Sequence, residues 1–350
     1  MTTLSRRALN RALLQRQFLL ERTDDTPLPV IKRLVAMQAQ EPNWPYLGLW
    51  TRIHGFARDD LTTLLADRRV VRSGLLRSTQ HIAAADDFRW LRPILQPVLD
   101  RTANSPYFQR NRAGLPTPTL MADGHALLGA RPLARKELAQ RLAARHPGRD
   151  ERILAGEFEL RTPLIHDSAT ASWGGWGNRS SVTVTALSCA VTEPTAIYEL
   201  IRRYLAAFGP ATVADIQAWS GLTRLARVVS ELASELRHYT GPDGQTLVDV
   251  PGADLPDPET PAPVRLLPAF DNAVLGHADR TRIISDEDRR MVMPGRAQVR
   301  PTILIDGFVH GTWSYSGGDI RLSPFRPLTV AQRHAVDDEA SRMLTFLSPR

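Results

Sequence analysis

The 350-residue chain predicts an α+β fold built from tandem helix-turn-helix units, three of them, each completed by strands in the manner of a winged helix. Three observations support this expectation. The N-terminal stretch reads helix, helix, helix, strand, which is the order a winged helix supplies. Between Thr212 and Leu236 two helical patterns meet at Gly221, a glycine turn with helix-turn-helix spacing. Toward the C-terminus, two β-branched runs flank Asp306-Gly307, the strongest short hairpin signal in the sequence.

In chain order, Ser5 to Glu21 carries Leu4, Ala8, Ala12, Leu13 and Leu19 at helical steps, with Ser5 as N-cap. Thr23-Asp24-Asp25, Pro27 and Pro29 end that element. Leu28 to Gln40 follows as a second helix with Val30, Ile31, Leu34, Val35 and Met37 on its apolar side, and Glu41-Pro42-Asn43-Trp44-Pro45 is a proline-broken loop. Asp60 to Asp67 is a short helix, Val70 to His81 is strand, and Ala85 to Leu99 is helix again. Pro116-Thr117-Pro118 opens a second unit. In it Pro132 starts a helix bearing Leu138 and Leu142, and Glu157 to Ile165 reads as a strand. Ser172 to Arg179 is a glycine- and tryptophan-rich tip before Val182-Thr183-Val184-Thr185, a wing signal. In the third unit a helix ends at Phe208, Thr212 caps Val213 to Ser220, and Thr223 caps Leu225 to Leu236. A Pro/Asp/Gly-rich stretch, Gly241 to Pro263, leads to the β-rich end, and Ala331 to Phe346 closes as a helix. The boundaries expected are 1–118, 119–190, 191–260 and 261–350.

Composition narrows the class. With 43% apolar and 23% charged residues the chain is globular rather than disordered. Its one cysteine, Cys189, excludes an internal disulfide framework and CxxC sites. Apolar runs fall well short of a membrane span and no secretory h-region follows the start, so a soluble cytoplasmic protein is expected. Basic residues number 44 against 37 acidic, a net charge of +7, and all but Lys32 and Lys136 of the basic residues are arginine. A GC-rich genome accounts for arginine over lysine. The excess of base over acid points instead to a polyanion such as nucleic acid.

Motifs exclude more than they assign. There is no P-loop, no dinucleotide glycine fingerprint, no paired-histidine metal spacing and no nucleophile elbow. Gln38 and Gln40 close an apolar helix before the proline loop. Two residues apart on a helix they diverge by about 200°, yet at a fraying end both amides can face one cleft. Capping or plain exposure is the other reading. His81, in Arg77-Ser78-Thr79-Gln80-His81, reads as a core histidine on a half-polar strand, and Asp271 and Asn272 read as turn formers after Leu266-Leu267-Pro268-Ala269-Phe270. Phe308-Val309-His310 forms an exposed tip that either enters a DNA groove or packs on a neighbour.

Taken in order, Leu34 to Gln40, Leu76 to His81, Phe208 to Thr212 with Asp215 and Trp219 to Leu222, Leu267 to Asn272 with His277 to Arg280, and Arg300-Pro301-Thr302 with Gly311-Thr312-Trp313 resemble the winged-helix DNA glycosylase family of AlkZ and YcaQ. The resemblance spans nearly the whole chain. It implies three tandem winged helices and a C-terminal β-barrel-like portion, arranged as a C-shaped scaffold around DNA. Gln38-Ala39-Gln40 matches the glutamine–apolar–glutamine branch, implying Gln38 and Gln40 as catalytic, with Thr79, His81, Asp271 and Asn272 in support. Ile305 to Thr312 matches the family's DNA-probing hairpin. Phe308 stands there where some members carry histidine, followed by Val309 and His310. Arg77 and Arg179 are the arginines expected on phosphate.

The implied reaction is monofunctional hydrolysis of the N-glycosidic bond of N7-alkylated purines, including bulky adducts and interstrand crosslinks, in repair or in self-resistance to a genotoxin. It needs no cofactor or metal, its partner is double-stranded DNA carrying the lesion, and a monomer is expected. A non-catalytic winged-helix regulator is the alternative left open.

Overall fold

The computed structural model describes residues 2–129, 132–175, 183–189, 193, 195–295 and 297–348. The first segment runs β1 (Thr2–Thr3), α1 (Arg6–Arg16), α2 (Pro27–Arg33), β2 (Met37–Gln38), α3 (Asn43–Arg52), α4 (Arg58–Ala66), β3 (Val70–Gly74), β4 (Gln80–Ala84), α5 (Ala85–Ile94), α6 (Gln96–Ala103) and α7 (Pro106–Arg112). The next runs α8 (Thr117–Leu128), β5 (Leu133–Ala134), α9 (Arg135–Arg145), α10 (Glu151–Arg161), β6 (Leu164–His166), α11 (Ser168–Ala171) and β7 (Thr183–Ala186). Then come α12 (Ala196–Phe208), α13 (Val213–Ser220), α14 (Ala226–Glu231), β8 (Arg237–Thr240) and β9 (Thr246–Asp249). Last are β10 (Arg265–Leu267), α15 (Asn272–Leu275), α16 (Asp286–Val292), β11 (Thr302–Ile305), β12 (Phe308–Ser316), β13 (Asp319–Pro324) and α17 (Val330–Leu347).

Each segment contributes one small sheet: β2-β4-β3, β5-β7-β6, β1-β8-β9 and β10-β11-β12-β13. The order in space departs from the order in sequence at the start. Thr2 and Thr3 pair in parallel with Tyr239 and Thr240, and Leu4, Ala8 and Leu9 share a core with Tyr239 and Leu247. The N-terminal strand and α1 thus pack on the third segment rather than on the helices that follow them. Helix α12 is the central pillar. Its Leu200, Ile201, Tyr204, Leu205 and Phe208 recur at helical spacing and are all buried. They share one core with Leu13 and Leu14 of α1, Leu91 of α5, Leu267 of β10 and Leu304 of β11.

Local signals placed many elements. Ser5 accepts a hydrogen bond from the Ala8 amide and starts α1. Thr212 and Asp215 form a reciprocal capping box at α13, and Gly221 ends that helix at φ 81°. Elsewhere tertiary pairing overrode periodicity. The helix expected over Leu28 to Gln40 stops at Arg33. Val35 turns at φ 67°, and the chain enters β2, where Met37 and Gln38 pair with Ile82 and His81. Asn43 to Arg52, read as loop at its start, is helix α3, with Pro42 in the cap position. The Val70 to His81 strand is two strands, folded back where Arg77 and Ser78 both have positive φ. Glu157 to Ile165 is mostly helix: Asp150 caps α10, and Leu154, Ala155 and Phe158 bury one helical face. Thr223 caps nothing. Helix α14 starts after Leu225, whose amide donates to Gln217 Oε1 (3.0 Å), and is short. The stretch Gly241 to Pro263, expected as a linker, contributes β9.

The C-terminal strands form an open sheet and not a closed barrel. Helices α3 and α17 pack against the edge strand β10, so that edge is covered without closure. The Asp306-Gly307 hairpin forms as expected, with φ 47° and 80° at its two turn residues, but the turn is not free. Asn10 Nδ2 donates to the Gly307 carbonyl (2.8 Å), and Arg7 and Arg11 both grip Asp306, docking the turn on α1. A Cβ at Gly307 would lie 2.4 Å from Asn10 Oδ1 and 2.6 Å from Leu14 Cδ1. Gly307→Ala is therefore expected to cost about 2 kcal/mol, from positive φ and overpacking together. It would be read as a lower urea midpoint with an unchanged m-value.

Candidate active site

Gln38 sits on β2, beside the fully buried His81 of β4. The chain then leaves the strand. Ala39 keeps one further ladder bond to the Gln80 carbonyl (2.8 Å), and Gln40 emerges at the surface. An extended backbone, unlike a helix, turns residues two apart toward the same side. The strand itself ends at Gln38, and Gln40 lies in the bend that follows it. Gln38 is nearly buried and Gln40 is exposed.

Both amides are held from the β3–β4 hairpin. Arg77 donates from Nη2 to Gln38 Oε1 (3.0 Å) and from Nη1 to the Trp219 carbonyl. The Gln80 backbone N–H reaches Gln40 Oε1 at 3.4 Å. Arg77 thus holds one internal acceptor from each terminal nitrogen. Burial, with repulsion from Arg280, lowers its pKa to about 10, and it stays charged at neutral pH. Arg179 lies outside the described residues.

A second arginine, not singled out in the sequence, holds the same loop from behind. Arg72 is fully buried on β3 and donates to the carbonyls of Ala39 (2.8 Å) and Gln40 (3.2 Å). It also donates to Nδ1 of His166 on β6, which leaves the histidine proton on Nε2. A charge inside the apolar run Val70-Val71 was the available signal, because buried arginine persists only where acceptors surround it.

His81 is no proton shuttle. Its Nδ1 donates to the Thr79 carbonyl (2.9 Å) and Nε2 finds no partner, while burial and the nearby Arg77 push its pKa down to about 3. Thr79 turns its hydroxyl back to the Leu76 carbonyl (3.1 Å), so its part is to close the hairpin and orient His81.

Asp271 and Asn272 do meet Gln38. A narrow cleft is lined by Met37, Gln38, Trp44, Phe270, Asp271 and Asn272, among others. Asn272 Nδ2 donates to the Ala36 carbonyl (2.7 Å), just before β2. Asp271 forms a buried two-point ion pair with Arg52 of α3 (2.8 and 2.9 Å) and also caps α15 through the Ala273 amide. Its carboxylate is thereby paired with Arg52 within the network of cleft residues. Trp44 and Arg52 are site residues that sequence reasoning missed. Arg52 declares itself only through a partner 219 positions away.

The hairpin residues divide by strand alternation. Val309 is buried in the core, its amide bonded to the Ile283 carbonyl (2.9 Å), whereas Phe308 and His310 are half-buried and share the other face. The expected free tip is corrected accordingly: the turn is docked and the valine is internal.

Removing one partner of the Arg52–Asp271 pair leaves a buried charge alone. Arg52→Met should cost about 3–5 kcal/mol, and Arg52→Met/Asp271→Leu less than the sum of the single changes, as a denaturant double-mutant cycle will show. His81, His166 and His277 all stay neutral when folded, with pKa values pushed to about 3 by burial first and by neighbouring arginines next. The unfolded chain takes up those protons near pH 6.5, so it binds more protons than the native state. Stability should therefore fall as pH drops from about 6.5 toward 3, by up to about 1.4 kcal/mol per pH unit for each histidine. Urea midpoints at pH 7, 6 and 5 test this.

Comparison with known proteins gives the same direction throughout. The family model for "DNA glycosylase AlkZ-like" proteins matches residues 31–346. An interstrand DNA cross-link repair glycosylase of Streptomyces sahachiroi is 27% identical over 359 aligned positions, covering 94% of this chain and 93% of that protein. The solved structure of the Streptomyces sahachiroi DNA glycosylase AlkZ superposes with a TM-score of 0.81 at 21% identity, covering 99% of this chain and 97% of that one. The chain belongs to the AlkZ-like family of DNA glycosylases, hydrolases acting on N-glycosyl bonds.

Proposed function

We propose that this protein hydrolyses the N-glycosidic bond of N7-alkylated purines in double-stranded DNA, bulky adducts and interstrand crosslinks included, in repair or in self-resistance to a genotoxin. The observation that supports the reading is that the β3–β4 hairpin holds both amides: Arg77 donates to Gln38 Oε1, and the Gln80 N–H reaches Gln40 Oε1. Alkylation at N7 makes the base cationic and a good leaving group. What remains for the protein is to place a water and to stabilise an oxocarbenium-like sugar. A neutral amide does this with an oriented dipole and a fixed acceptor, though it is too weak a base to take a proton before the bond breaks. Gln38 Oε1 keeps a second lone pair after accepting from Arg77, and Gln40 stands at the surface where the duplex would lie. Lys32 and Lys136 lie on α2 and α9, and neither lines the cleft that holds Gln38, so the reaction proposed is hydrolysis without a Schiff base.

The scaffold proposed is three tandem winged helices curved around the duplex. Support comes from the glycine-turned pair α13 and α14 followed by the β8–β9 hairpin, and from the small helix-backed sheets of the two preceding segments. The net charge of +7 favours the polyanion, and Phe308 and His310 are the residues the β11–β12 hairpin offers it. A monomer acting in the cytoplasm completes the reading. The name of the Streptomyces relative agrees with crosslinks as substrate. Nothing observed supports the non-catalytic regulator.

A duplex with one N7-methylguanine and another with an N7-linked crosslink, incubated with protein and then treated with alkali, test the reading. Wild type should convert the lesion to an alkali-labile abasic site. Gln38→Ala/Gln40→Ala should lower the single-turnover rate by at least about 10²-fold while duplex binding is kept. Tight duplex binding with no release of either base would exclude this reaction.

A further inference from the structure

Behind the amide pair lies a cavity of about 260 Å³, near the lower end of small-molecule sites at roughly 300 Å³. It opens between the β3–β4 hairpin, α6, α10 and the β6–β7 pair. Its lining includes the apolar Leu99, Phe108, Leu160, Leu164 and Val184. Ser78, Gln80 and His166 also line it, as does the Arg135–Glu159 ion pair.

Three residues join this cavity to the amides. Gln80 lines it and hydrogen-bonds Gln40 through its own backbone. Ser78 lines it and adjoins Arg77, which holds Gln38. His166 lines it and accepts from Arg72, which holds the Gln40 carbonyl. A chamber of mixed lining, joined to the amides through these three residues, fits a group that arrives with the reacting base.

We infer that this cavity between the β3–β4 hairpin and the α10–β6–β7 layer receives the non-base arm of a bulky N7 adduct, an aryl or alkyl group. The inference rests on the glycosylase reading above and adds to it the place where substrate size is sensed. Contact of the arm with Leu99, Phe108, Leu160, Leu164 and Val184 supplies the affinity. A methyl adduct fills none of the space, so it gains nothing from the cavity.

The test compares two duplexes, one with N7-methylguanine and one with a guanine whose N7 carries a naphthylmethyl arm. Gly74→Val narrows the cavity. Gly74 has no positive φ, and a Cβ there meets Leu99 Cδ2 at an ordinary 3.6 Å. Phe108→Ala, on the peripheral α7, removes part of the lining instead. Single-turnover release is measured for wild type and both variants. The expected result is a fall of roughly tenfold or more in the ratio of bulky to methyl release in each variant, carried mainly by affinity. The arm's own emission should shift to the blue on binding wild type, a reading of burial that needs no variant.

An unchanged ratio in the folded variants, equal loss of both activities, or an unshifted emission would overturn the assignment. Equal loss would instead place the base itself in the cavity. Wild type that releases methylguanine but never the bulky base overturns it too. Wild type that releases neither marks failure of the glycosylase reading itself, which the methyl duplex reports separately.

Discussion

Arg52 and Asp271 meet in the interior as a two-point ion pair, both side chains essentially without solvent contact. Taking two such charges out of water is costly, and the geometry must be good for the pair to hold. Here further hydrogen bonds support it, although Arg52 Nε is left without a partner. Arg52 also donates to the Gly48 carbonyl and to Gln17 Oε1, and Asp271 accepts from the Ala273 amide. The pair fastens α3 to the loop between β10 and α15, so the residues flanking Gln38 on both sides of the cleft are set by one interaction. Asn272 adds the second stitch, to the carbonyl of Ala36. That clamp works together with Arg72 and Arg77 to fix the short strand β2, which consists of two residues with one neighbouring strand.

Arginine recurs wherever a loop near the site has to stay put. Arg72 holds the carbonyls of Ala39 and Gln40, Arg77 holds Gln38 and Trp219, and Arg282 holds the carbonyl of Pro210. The planar five-donor fork suits this work, since it satisfies several carbonyls from one buried position and never loses its charge at neutral pH. Part of the arginine excess in the sequence therefore serves the inside of the molecule. Reading every cation near the site as a phosphate contact overcounts the DNA-facing charge.

The sequence signals that held were local and chemical. Ser5, the Thr212–Asp215 box, Gly221 and Asp306-Gly307 each satisfy backbone groups within four residues, and each forms as read. The signals that failed were periodicities in short apolar stretches. Leu34 to Gln40 reads as helix because its apolar residues are dense, yet Val35 turns and β4 captures the next residues as a strand. Glu157 to Ile165 fails in the opposite sense, since the cap at Asp150 had already committed the chain to a helix. Short runs do not distinguish the two periods, and a partner strand decides.

For this protein, the order of its motifs alone determined the family, the α+β class and the identity of the amide pair, because those depend on residue types and short spacings. The fold decided what those residues do. It put Gln38 on a short strand with Gln40 in the bend beyond it, gave Arg77 and Asp271 internal partners, drew Val309 into the core, and brought His166 and Gln80 to one cavity. Each of these depends on partners tens to hundreds of positions away, and no local pattern in a sequence records which distant carbonyl or carboxylate a buried arginine will find.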